Sequence, residues 1–163
     1  MTKRTCLLLG IVLLLSFGVF AGTPEISVVG GSSLAVIVNK DNPVDQLSLG
    51  ELQQIMLGEK RSWSVKLPLV RMMRNQDSKE RAVLLHKVCR MTDDDYHHYW
   101  TGKIFRGEAT SEPVTLPSVG IALNFVSSVR GGISFVDPAS VRDGVKVLRI
   151  DGRLPGEPGY PLQ

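Results

Sequence analysis

The sequence predicts an α/β sandwich. Two observations carry this: apolar, β-rich runs alternate with segments of helical apolar spacing, and most of the helical segments open on a recognisable N-cap. A third is the stretch Leu67–Met91, read as a strand (Leu67–Met73), a short polar turn, and a helix opened by Asp77 or Ser78. A strand running into a helix start leaves backbone N–H groups and the positive end of the helix dipole facing the turn, which suits an anion. Arg74, Ser78 and Lys79 add side-chain donors at the same place. Any small ligand is expected there.

Leu34–Asn39 is a continuous apolar run, as expected of a strand covered on both faces. Asp41-Asn42-Pro43 turns the chain, and Ser48 with Glu51 forms a capping box for a helix through Leu52, Ile55 and Met56, stopped by Gly58. Arg61–Ser64 reads as a loop before the second strand. The helix from about Ser78 to Arg90 turns Leu84, Leu85, Val88 and Cys89 to a core, with Lys79, Glu80, Lys87 and Arg90 outward. Thr92 and Asp95 form another capping box, for a helix through Tyr96, Tyr99 and Trp100. Lys103–Pro117 reads as loop, and Ser118 caps a helix carrying Val119, Ala122, Leu123, Val126 and Val129. Ile133–Val136 and Val145–Ile150 read as strands, and the Gly- and Pro-rich tail from Asp151 as an extended surface segment. The order of the strands does not follow from this pattern.

Residues 1–21 read as a cleavable secretory signal peptide: Lys3 and Arg4, the apolar run Cys6–Phe20, then Val19 and Ala21 at the −3 and −1 positions. The run is shorter than the roughly 20 apolar residues that span a bilayer. The expected mature domain is therefore residues 22–163, in the periplasm. The chain's net charge of +3 falls by two when Lys3 and Arg4 leave, so the charge gives no reason to expect a nucleic-acid partner. Cys6 leaves as well, and Cys89 remains as a single thiol among apolar helical neighbours, read as buried and structural.

No cofactor is expected. Asp93-Asp94-Asp95 with His97 and His98 superficially suggests a metal site, but acids in a first turn answer the helix dipole, and adjacent histidines point about 100° apart. Neither Gly-x-Ser-x-Gly nor a phosphate-binding Gly-rich loop occurs, so no enzyme activity is expected. Tyr96 and Trp100, at helical spacing, read as core or cleft wall.

Several segments together resemble the phosphate-binding proteins of ABC phosphate importers, the PstS type of periplasmic binding protein. Leu34–Ser64 (LAVIVNKDNPVDQLSLGELQQIMLGEKRSWS) is similar to that family's apolar strand ending in Asn, its Asn-Pro turn, its Leu-Ser-x-x-x-Leu helix and its Gly-x-x-x-x-Trp segment. Tyr99-Trp100 and Phe105-x-Gly107 fall where the family has comparable signals. Gly131–Val136 resembles its Gly-Ala-Ile-Gly-Tyr-Val strand, and Val145–Leu162, with Ile150-Asp151-Gly152 and Tyr160-Pro161-Leu162, its late segment. The resemblance implies a single lobe of a type 2 periplasmic-binding-protein-like fold, a mixed sheet flanked by helices, because the opening segment of the other lobe has no counterpart here.

The family's ligand motif Arg-Ser-Asp-Gly-Ser-Gly-Thr aligns with Arg74–Glu80. Arg74 and Ser78 match; Gln76 stands where the family has Asp, and Lys79 and Glu80 replace Gly and Thr. The ligand-binding residues implied are Arg74, Ser78, Lys79, Gln76 and Asn39, and the ligand phosphate or a similar oxyanion, with a membrane transporter or another protein as partner. Lys79 would attract an anion, Glu80 would repel it, and Asp77 with Glu80 would form a cap that occupies the free N–H groups. Two functions follow: a periplasmic solute-binding-like protein that holds its ligand weakly, or a non-enzymatic module that docks a protein through the open lobe face. An exposed apolar patch on that face would favour docking, and a polar face with Arg74, Ser78 and Asn39 would favour the ligand.

Overall fold

A computed structural model describes residues 33–163, so the expected signal peptide lies outside the described residues. Five strands form the main sheet: β1 (Ala35–Asn39), β5 (Val70–Arg74), β6 (Val114–Leu116), β7 (Gly132–Val136) and β8 (Val145–Val147). Their order is β6–β5–β7–β1–β8. Strand β5 runs parallel to β6 and β7, whereas β1 is antiparallel to both its neighbours, β7 and β8. The sheet is thus mixed. Strand β1 is buried along its whole length, which is why its sequence is apolar at every position but the last.

Helix α4 (Val119–Ser128) packs on one face, against Ala35, Ile37, Met72, Leu116 and Val136. Alternate residues Val36, Val38, Met73, Ile133 and Phe135 point to the other face. There they meet α1 (Leu49–Met56), α2 (Lys79–Leu84, continued by a π-helical turn over Leu85–Cys89) and α3 (Asp93–Phe105). The boxes at Ser48/Glu51 and Thr92/Asp95 are both formed. Leu84, Leu85, Val88 and Cys89 are buried as the helical spacing requires.

Five local expectations are corrected. The segment Leu67–Met73 is two strands. Leu67–Pro68 (β4) pairs with Ser62–Ser64 (β3), so the supposed loop at Arg61–Ser64 is one arm of a hairpin. The supposed loop at Lys103–Pro117 holds the last turn of α3 and all of β6, a three-residue strand too short for its periodicity to register. The stretch Val145–Ile150 divides into β8 and β9 (Arg149–Ile150), the latter pairing with β2 (Gln46–Leu47) in a separate ribbon. Of the two residues offered as the start of α2, Ser78 is the cap, its side chain accepting from Arg81 N. The tail does not lie on the surface. Tyr160 and Leu162 are buried, Leu34 N donates to Leu162 O at 2.8 Å, and Tyr160 Oη donates to Leu34 O at 2.7 Å.

Candidate functional site at the carboxyl edge of the sheet

Because β5, β6 and β7 are parallel, their carboxyl ends lie at one edge of the sheet. Each feeds a helical start: β5 leads to Ser78 and α2, β6 to Ser118 and α4, and β7 to Asp137 and a 3-10 turn at Pro138–Ser140. Helices α2 and α4 lie on opposite faces, so two helix N-termini flank the sheet edge. In open α/β sheets this is where ligands settle, since the dipoles and orphan N–H groups of P-loop-like turns collect there.

Arg74 stands at the centre of that edge. It is only 8% exposed, its Nη1 donates to Leu116 O at 2.8 Å, and its buried Nε has no hydrogen-bond partner among the described residues. No carboxylate among them lies within ion-pair distance of it. Ser78 Oγ donates to Asn75 O at 2.8 Å and accepts from Arg81 N at 3.2 Å, so its hydroxyl serves the turn and the cap. That leaves the N–H groups of Lys79 and Glu80 without an intrahelical partner. The Lys79 side chain is exposed. Beside it, Ser33, Lys79, Glu80, Val83 and Asp137 line a hollow of about 140 Å³, in which two carboxylates oppose one ammonium.

Gln76 is exposed and its Nε2 donates to Asp93 Oδ2 at 2.7 Å, which turns it toward α3. Asn39 is not brought to the turn. The register Ala35↔Val136 and Val70↔Gly132 puts Asn39 at the amino end of β5, about 13 Å along the strands from the level of Arg74. Its Nδ2 donates to Val126 O (3.0 Å) and Ser127 O (2.7 Å), and its Oδ1 accepts from Asp41 N. A buried amide must be satisfied, and this one is satisfied by closing the end of α4.

Arg81 joins Arg74 beneath the turn. It is 7% exposed, its Nε donates to Asp93 Oδ1, its Nη1 reaches Arg74 O at 3.4 Å, and its guanidinium lies 5.9 Å from the Tyr96 ring centroid. The signal was present, because Arg81 sits three and four residues before Leu84 and Leu85, on the core stripe of the helix. Asp93, an acid in the first turn of α3, also ties the turn to that helix through Arg81 and Gln76.

No group of three His, Cys, Asp or Glu is placed to hold a metal among the described residues; His97 Nδ1 instead meets Glu112 Oε1 at 2.8 Å. Cys89 is a buried free thiol whose pKa is pushed up to about 12, chiefly by burial and against the pull of Arg81. No helix among the described residues is long and apolar enough to cross a membrane.

The fold is that of a single lobe of the periplasmic-binding-protein type, a mixed sheet between helices. Several solved structures superpose on it. A protein from Clostridium perfringens, described as a phosphate ABC transporter substrate-binding protein and solved with bound phosphate, superposes with a TM-score of 0.60 at 22% identity, over 74% of this chain and 45% of that one. An ABC-type phosphate transport receptor from Vibrio cholerae gives 0.59 at 20% identity, over 76% and 48%. PstS from Borrelia burgdorferi gives 0.62 at 14% identity, over 80% and 53%. The chain thus spans about half the length of these proteins. No protein-family model matches it.

Proposed function

We propose that the chain is a periplasmic, non-enzymatic solute-binding-like protein whose Arg74–Glu80 turn takes phosphate or a similar oxyanion weakly. The observation that carries this is Arg74: a buried guanidinium with an unpaired Nε and no carboxylate partner among the described residues, at the edge where α2 and α4 begin. Because Ser78 rather than an Asp77–Glu80 box caps α2, the first two N–H groups of the helix stay open to an anion. Lys79 adds an exposed ammonium. Glu80 and Asp137 in the adjoining hollow repel an anion, and a single lobe leaves the ligand half solvated, so binding is weak.

The Arg74–Glu80 turn itself is polar throughout, which supports the ligand reading over a docking face. Delivery of the ligand to a membrane importer belongs to the same proposal. The test is a thermal melt of the purified protein in phosphate, sulfate and chloride at matched ionic strength. At ten times its dissociation constant a ligand adds about 1.4 kcal/mol, or roughly 4–5 °C for a chain of this size. The expected result is a rise with phosphate or sulfate that is absent in Arg74→Ala, measured against that variant's own baseline. No rise at 50 mM of either oxyanion would leave capture of a protein partner at this edge as the function.

A further inference from the structure

At the opposite edge of the sheet, a cavity of about 340 Å³ lies between the amino end of β5 and the loop joining α3 to β6. Trp100, 1% exposed, forms part of its wall. Gly58 lets the chain cross that ring at φ +71°, where a Cβ would stand 2.5 Å from Trp100 Cη2. The Arg71 guanidinium lies 5.5 Å from the ring centroid. Its Nη1 makes one long bond to Lys60 O (3.4 Å), its buried Nε has no partner, and no carboxylate among the described residues lies within ion-pair distance. Arg61 also lines the cavity, and its Nη2 pins the loop by donating to Glu108 O at 2.6 Å.

A guanidinium stacked on an indole, half withdrawn from water and lacking an anion, is a poor arrangement for stability alone. Burial is the main effect that disfavours its charged form, and the nearby charge of Arg61 adds to it. The two carboxylates of the wall are already engaged at the rim, Glu108 with Arg106 at 2.6 Å and Glu112 with His97 at 2.8 Å. Arg71 is therefore left without a carboxylate in this cavity, while an anion of higher charge would meet Glu108 and Glu112. The rest of the wall is mixed: Leu69, Pro113 and Val114 with the indole on the apolar side, Thr110 and Ser111 on the polar side.

We infer that this cavity is a second ligand site, for a small organic monoanion whose carboxylate is gripped by Arg71 and whose short apolar or aromatic body lies against Leu69, Pro113 and Val114, beside the buried edge of Trp100. Arg61 holds the loop that closes over it. The guanidinium can offer two parallel N–H groups to the two oxygens of a carboxylate, and Leu69, Pro113 and Val114 in the wall favour an organic anion over an inorganic one. The volume, at the lower end of small-molecule pockets, limits the body to a few carbons or one ring.

The test titrates benzoate and butyrate into the ¹⁵N-labelled protein, with phosphate and chloride at the same ionic strength as controls, and follows the two indole N–H resonances. The expected result is a saturable shift of Trp100 with benzoate or butyrate, and none of Trp63. Affinity should fall about ten-fold or more in Arg71→Gln and also in Arg71→Lys, which keeps the charge and loses the fork. The exposed Lys87→Gln should leave it unchanged. No Trp100 shift up to 50 mM of either organic anion would overturn the inference, and that reading needs no variant to fold. Equal shifts with phosphate or chloride, or undiminished affinity in a folded Arg71→Lys, would overturn it too.

Discussion

Asp93 is the acid on which the turn below Arg74 depends, and its removal gives the sharpest energetic test of the structure. In Asp93→Ala the Arg81 guanidinium, 7% exposed, keeps only the 3.4 Å contact to Arg74 O and the face of Tyr96. Removing one member of a buried ion pair costs about 3–5 kcal/mol. Asp93 is 32% exposed, so part of its charge is already solvated and the expected cost falls below that range, at about 2–3 kcal/mol. That corresponds to a fall of roughly 7–10 °C in Tm. Arg81→Met behaves differently, because it removes the buried charge and leaves Asp93 at the first turn of α3, where the helix dipole favours it. It should cost about 1 kcal/mol or less, and the double variant should be more stable than Asp93→Ala alone. Urea unfolding of the four proteins measures all three differences. If Arg81→Met costs as much as Asp93→Ala and the double variant is no better, the pair is not what makes Arg81 tolerable in the core, and the reasoning fails.

Leu162→Ala should cost about 2–4 kcal/mol, because the tail is part of the core; a surface tail would lose almost nothing, and denaturant midpoints separate the two. Gly131→Ala should unfold or grossly destabilise the protein, since its Cβ would stand 2.0 Å from the carbonyl oxygen of Pro68, a backbone atom that cannot step aside; far-UV circular dichroism and a melt report this. Cys89 should resist alkylation until the chain opens. With its pKa raised to about 12, the native state holds a proton that the unfolded state releases, so stability is complete below about pH 8.5 and falls as pH rises toward 12. A Cys89→Ala variant should lose the part of that slope between about pH 8.5 and 10, above which the buried Tyr96 and Tyr160, also raised by burial, add a slope of their own. At the acid end the sign reverses: Glu51 and Asp95 are held below the usual carboxylate range, Glu51 first by the Ser48 backbone N–H and Asp95 first by the Thr92 side chain. Their contribution is present above about pH 4.5 and lost as the caps protonate, so Glu51→Gln with Asp95→Asn should flatten the acid limb of a pH–Tm profile.

The sequence alone determined what depends on neighbours within a turn or two. The capping boxes at Ser48 and Thr92, the core stripe of α2, the fully apolar β1 and the helix start beside Arg74 were all legible, because caps and periodicities are local chemistry. Tertiary structure decided the rest. Strands β3, β6 and β9 have two or three residues each, and only pairing with a distant partner makes them strands. Asn39 could not be distinguished from a ligand-binding residue by its place after an apolar run; the antiparallel register of β1 carried it to the far edge, and the end of α4 claimed its amide. Arg71 looked like one more residue of a strand until Trp100, on a helix nearly thirty residues away, came to rest against it. The tail from Asp151, rich in Gly and Pro, carries turn signals that describe its backbone correctly but not the burial of Tyr160 and Leu162. That burial follows from the sheet edge they cover, at Leu34, more than a hundred residues earlier in the chain.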